Sequence, residues 1–105
     1  VACYLTDDVI KCTMIASFRC HKTESLFEGV CPKHFRSFRT QAERILQMVD
    51  SATEVQDLRS PPGNRLEKLR GDRAEFWSIR INSQWRLCFE WRNGEALNVE
   101  IVDYH

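Results

Sequence analysis

The chain has 105 residues, with 15 Lys and Arg balanced by 15 Asp and Glu. A composition of 43 % hydrophobic and 29 % charged residues is that of one compact globular domain, and no apolar run approaches the roughly 18 residues of a membrane helix. Zero net charge excludes nucleic-acid binding by bulk charge but allows a local basic patch.

Residues 1–13 carry no clear period and read as an N-terminal extension, from an upstream start or an expression remnant. A single domain is expected over 14–105. Met14 to Phe18 is compatible with a short strand. Thr23 to Glu28 allows one or two helical turns, with Gly29 as the stop. From Lys33 to Ala52 the pattern is helical. Phe35, Phe38, Ala42, Ile45, Leu46 and Val49 recur at three- and four-residue steps and so share one face. Thr40 and Glu43 have capping-box spacing, which predicts a restart or bend there. Ser60-Pro61-Pro62-Gly63 is a loop.

Beyond the loop the period changes to two. Arg65 to Leu69 is a predicted strand, and Gly71-Asp72 a turn. Trp77, Ile79 and Ile81 alternate with Phe76, Ser78 and Arg80. Trp85, Leu87, Phe89 and Trp91 alternate with Arg86, Cys88 and Glu90. Leu97, Val99 and Ile101 extend the apolar set. Keeping the odd residues on one face requires opposed residue numbers to have an even sum. Three-residue connections Asn82-Ser83-Gln84 and Arg92-Asn93-Gly94 satisfy this, with Gly94 at positive φ. The prediction is an antiparallel meander with an aromatic-rich face under the helix. Its other face carries Arg80 directly opposite Arg86.

Charge is unevenly spread. Arg59 to Arg92 holds eight basic side chains against four acidic, net +4, while residues 93–105 are net −3. Seven of those eight are arginine, whose planar fork of donors fits phosphate oxygens. Opposed arginines repel, so they call for nearby carboxylates, with Glu67 and Glu90 as candidates, or for an anion. The five cysteines are odd in number and form no CxxC pair, so they read as reduced thiols. Zinc needs four suitably placed ligands, and the single CxxH of Cys31 and His34 beside Cys20-His21 argues against it. Cys88 reads as a packing residue. The remaining parts are a base in Glu67, an anion clamp in Arg80 and Arg86, and an acid in Tyr104 or His105. Cleavage of RNA by its own 2′-OH uses such parts without a metal or cofactor. Trp77, Trp85, Phe76 or Tyr104 could stack on bases.

Ser60 to Arg73, Trp77-Ser78-Ile79-Arg80-Ile81-Asn82, Gln84-Trp85-Arg86-Leu87-Cys88-Phe89 and the ending Val99 to His105 together resemble the HigB toxins of the RelE/ParE superfamily. The resemblance spans about residues 14–105. It implies an α+β fold, with helices packed on one face of a curved antiparallel β-sheet, as in RelE and small microbial ribonucleases. It implies a cytoplasmic endoribonuclease that enters the ribosomal A site and cuts mRNA during translation. It also implies a HigA-type helix-turn-helix antitoxin that inhibits the toxin and carries the complex to operator DNA. Arg86 matches the arginine that stabilises the scissile phosphate, and Arg80 a second phosphate contact. Lys68, Arg70 and Arg73 fall at basic positions near the RNA path. His105 matches a C-terminal catalytic histidine, with Asp103 and Tyr104 beside it. Glu67 stands where related toxins carry a glutamate or a histidine, so the general base is Glu67 first and His105 second. The alternatives on the same scaffold are a ParE-like inhibitor of DNA gyrase and a non-catalytic RNA-binding module.

Overall fold

The computed structural model describes residues 15–60, 62–69 and 76–103, and the backbone of 2–6 and 9–13. Two antiparallel strands, β1 (Ala2–Thr6) and β2 (Val9–Thr13), form a hairpin of their own. Helix α1 (His21–Phe27) follows. It stops at Gly29, whose φ is +101°. The Val30 amide donates to the Ser25 carbonyl and the Gly29 amide to that of Leu26, which satisfies the last carbonyls of the helix.

The helix expected over 33–52 is two pieces. Lys33–Phe38 is a 3-10 helix, and α2 (Arg39–Ser51) begins after it. The break lies at Phe38, with no side-chain cap from Thr40. A 3-10 turn aligns residues three apart. It thereby stacks Phe35 and Phe38 with centroids 5.4 Å apart, and Trp85 packs on both rings at 5.9 and 5.2 Å. All six residues of the predicted apolar face are buried.

The main sheet has four antiparallel strands in sequence order: β3 (Glu67–Lys68), β4 (Phe76–Arg80), β5 (Trp85–Arg92) and β6 (Glu95–Asp103). Two helices on a four-stranded antiparallel sheet make this an α+β fold. Ile79, Leu87, Phe89, Val99 and Ile101 pack with Leu26, Ile45, Leu46 and Val49 in one core. Strand β3 is shorter than expected because Arg65 adopts a left-handed φ of +46°, which bends the chain before pairing starts.

The β4–β5 register is as predicted: Trp77 opposes Phe89, Ile79 opposes Leu87, and Arg80 opposes Arg86. The β5–β6 turn differs. Arg92 pairs with Glu95, so only Asn93 and Gly94 turn the chain, at φ +54° and +79°. A two-residue turn with both φ positive matches strand twist better than a longer one, and Asn-Gly suits it. The even-sum rule therefore fails next to the turn, where Ala96 rather than Leu97 is buried beside Trp91. A bulge with Asn98 at φ +53° inserts one residue and restores parity, so Val99 and Ile101 return to the core.

The expected strand at 14–18 is a broken parallel contact along β6, bridging Ile15 to Ala96 and Phe18 to Val99. The bulge interrupts its ladder, and the Ser17 hydroxyl fills the gap by accepting from the Asn98 amide at 2.9 Å. The buried Thr23 hydroxyl accepts from the Ile101 amide at 3.0 Å. The outer edge of β6 is thus covered by the chain that precedes it, which removes an open template for aggregation.

Candidate active site

The face of the sheet away from α2 is polar and still largely buried. Glu67 opposes Ser78, which opposes Cys88, which opposes Glu100, so these four form one row across all four strands. Arg80 and Arg86 form the next row. Arg86 lies diagonal to Ser78, and its Nε donates to the Ser78 Oγ at 3.0 Å. Its Nη2 donates to the Arg65 carbonyl at 2.8 Å. Its Nη1 stands 3.8 Å from the Glu67 Oε1. The Arg86 side chain is 10 % exposed, whereas that of Glu67 is 56 % exposed. The carboxylate is open to an approaching hydroxyl, while the guanidinium is fixed beneath it.

The opposed arginines are therefore compensated on one side only by the predicted Glu67. Glu90 serves elsewhere: buried, it accepts from Asn98 at 3.2 Å and pairs with Arg92, which holds the bulge. Arg80 is half-buried, and its side chain makes no hydrogen bond or ion pair among the described residues.

Lys68 opposes Trp77 and so lies on the other face, with its Nζ 5.8 Å from the Trp77 ring centre. Asp103 opposes Trp85, also away from the arginine row, and accepts from the Gln84 side chain at 3.0 Å. Trp77 is buried and Trp85 is packed on two phenylalanines, so neither presents an open ring to a base. Arg70, Arg73, Tyr104 and His105 lie outside the described residues.

Burial pushes the Cys88 thiol up to about 11, with the Glu100 carboxylate adding to the rise and Arg86 opposing it. A thiol so placed stays protonated near neutrality and is a poor nucleophile, in keeping with the packing role read from its position. Cys20, Cys31 and Cys88 form no disulfide. Among the described residues no three His, Cys, Asp or Glu side chains gather as a metal site requires. No helix of the described residues is long and apolar enough to cross a membrane. A shallow hollow lined by Met48, Ser51, Ala52, Asp57 and Leu58 includes none of the predicted site residues.

Two participants were not anticipated. Ser78 is wholly buried and supplies the acceptor for Arg86. Asn64 is buried at 1 % exposure, and its Nδ2 donates to the Leu58 and Ser60 carbonyls at 3.2 and 3.4 Å. The signal for Ser78 was its place on the arginine side of β4, one small hydroxyl among bulky residues. Nothing local marked Asn64 apart from the turn-rich stretch around it.

Residues 19–105 match the family model described as RelE-like toxin of type II toxin-antitoxin system HigB. The Endoribonuclease HigB of Proteus vulgaris is 36 % identical over 93 residues, which is 88 % of this chain and all of that protein. The chain belongs to the HigB-like toxin family. Toxin HigB-1 of Vibrio cholerae serotype O1 is 51 % identical over 55 residues, 52 % of this chain and 58 % of that toxin. An uncharacterized protein of Haemophilus influenzae is 41 % identical over 56 residues, 53 % of this chain and 55 % of that protein. This chain thus spans somewhat over half of these two relatives and the full length of the Proteus HigB.

Proposed function

We propose that this HigB-family chain is a metal-independent endoribonuclease toxin that cuts mRNA during translation, in the ribosomal A site. The observation that carries the reading is the Arg86 guanidinium. It is fixed on the sheet face, 3.8 Å from the exposed carboxylate of Glu67 and directly across from Arg80. The name of the Proteus vulgaris relative, matched over its whole length, supports it.

In the proposed reaction Glu67 takes the 2′-OH proton. The freed oxygen bonds to the adjacent phosphorus, and the bond from phosphorus to the 5′ oxygen breaks. Arg86 and Arg80 stabilise the crowded anionic transition state, each well-placed donor being worth roughly 2.7–4 kcal/mol. By family resemblance, His105 protonates the leaving 5′ oxygen, Tyr104 orients the base or phosphate, and Arg70 and Arg73 follow the RNA path; Lys68, on the other face against Trp77, is left out of it. The products are a 2′,3′-cyclic phosphate and a 5′-hydroxyl. Residues 14–105 act as the toxin domain and 1–13 as an extension to it, a division supported by the family match from residue 19 onward. A HigA-type antitoxin restrains the toxin in the cytoplasm and takes the pair to operator DNA.

Primer extension on mRNA from cells expressing the chain tests the reading. New 5′ ends that require translation, and that vanish with Arg86→Ala, are expected. Intact mRNA in cells whose DNA supercoiling is disturbed would replace the nuclease with a gyrase inhibitor. Intact mRNA and normal supercoiling would leave a binding module.

A further inference from the structure

We propose that Ser78 and Asn64 are positioning residues for Arg86, one through its own hydroxyl and the other through the Arg65 carbonyl. The inference rests on the ribonuclease reading and adds to it how the clamp is aimed.

The two bonds come from two different nitrogens of the guanidinium. Nε meets the Ser78 Oγ at 3.0 Å, and Nη2 meets the Arg65 carbonyl at 2.8 Å. Two separate acceptors, together with the Cδ attachment, fix the plane of the group and not merely its location. Both acceptors are neutral, so they orient the guanidinium without cancelling its charge. Ser78 has no freedom of its own, being fully buried in the middle of β4, opposite Cys88. The Arg65 carbonyl is 21 residues away in sequence, and a chain of contacts sets its direction. The Arg65 amide donates to the Pro62 carbonyl at 3.1 Å, and its φ of +46° turns the chain. Asn64, immediately before it, pins the turn to the Leu58 and Ser60 carbonyls. These bonds tie residues 62–65 to the carbonyls of Leu58 and Ser60. Misplacing a reacting group by about 1 Å can cost roughly a hundredfold in rate, so aiming the clamp is a catalytic matter even though neither residue touches RNA.

The test uses the full chain in a cell-free translation reaction, with cleavage of a translated mRNA measured under single-turnover conditions. Ser78→Ala is expected to slow cleavage roughly 10- to 100-fold while the half-saturating toxin concentration stays unchanged. Added to Arg86→Ala, it is expected to cause no further loss, because its effect acts through that arginine. The Arg86 Nε–H is expected to exchange slowly enough to give a resolved resonance in the wild type, and to lose it in Ser78→Ala. Ser78→Cys is near-isosteric with a weaker acceptor, and serves if the alanine variant does not fold; a smaller loss in the same direction is expected. Asn64→Ala should repeat the rate loss without touching Ser78. Wild-type cleavage by folded Ser78 variants, or losses that multiply in the double variant, would overturn the positioning role. A wild-type chain that cuts no mRNA would overturn the ribonuclease reading instead.

Discussion

Arg80 and Arg86 are direct register partners on β4 and β5, yet they occupy unlike environments. Arg86 is buried and donates to Ser78 and to the Arg65 carbonyl. Arg80 is half-buried, and its side chain has no hydrogen bond or ion pair among the described residues. Directly opposed like charges destabilise a sheet, so Arg80→Ala should stabilise the fold by about 0.2–1 kcal/mol and still lower cleavage. Arg86→Ala should do the reverse to stability, costing about 1–3 kcal/mol as the buried Ser78 hydroxyl loses its donor, and should cut the rate by roughly 10²–10³. Urea unfolding paired with cleavage rates checks both signs.

The Glu67 side chain is 56 % exposed and makes a loose ion pair with Arg86. Removing such a pair costs at most about 1 kcal/mol. Glu67→Gln should therefore keep its melting temperature within a few degrees while the single-turnover rate falls roughly 10²–10⁴-fold. A wild-type rate in this variant would transfer the general-base role to His105.

The thiol of Cys88 is raised to about 11 in the fold, against an ordinary value of 9.0. The folded state therefore favours the neutral thiol. That contribution is complete below about pH 9 and is lost as pH rises through about 11. At pH 8 an alkylating reagent should modify the partly exposed Cys20 and Cys31 well before Cys88. Mass spectrometry of the native and unfolded chains gives the order directly.

Gly94 sits at φ +79° in the two-residue turn, and a Cβ there would meet nothing within 4 Å. The cost of Gly94→Ala is thus in the backbone alone, about 1–2 kcal/mol, visible as a lower urea midpoint. Cleavage by the folded fraction should be unchanged, because the arginine row lies at the opposite end of β5.

Much of the site was written in alternation. The odd apolar residues of β4 and β5 can reach the core only if Arg80 and Arg86 share the other face, and the short connection through Asn82 to Gln84 places them side by side. The helical spacing of Phe35 to Val49 named its own buried face. The β5–β6 pairing was less legible. Asn93-Gly94 alone makes a tighter turn than the parity argument assumed, and the Asn98 bulge then corrects the register. Alternation reports a face but not the one-residue slip that a bulge absorbs.

By itself the sequence determined which residues pair across β4 and β5, which helix face is buried, and where the positive charge gathers. Those follow from periods of two and of about 3.6 residues, which are local properties. Only the tertiary structure decided that Ser78 and the Arg65 carbonyl hold Arg86, that Glu90 turns to Arg92 and Asn98, that Lys68 lies on the far face, and that residues 15–23 close the edge of β6. Each of these needs two segments distant in the chain to meet, and the geometry of that meeting is set by packing rather than by any pattern within either segment.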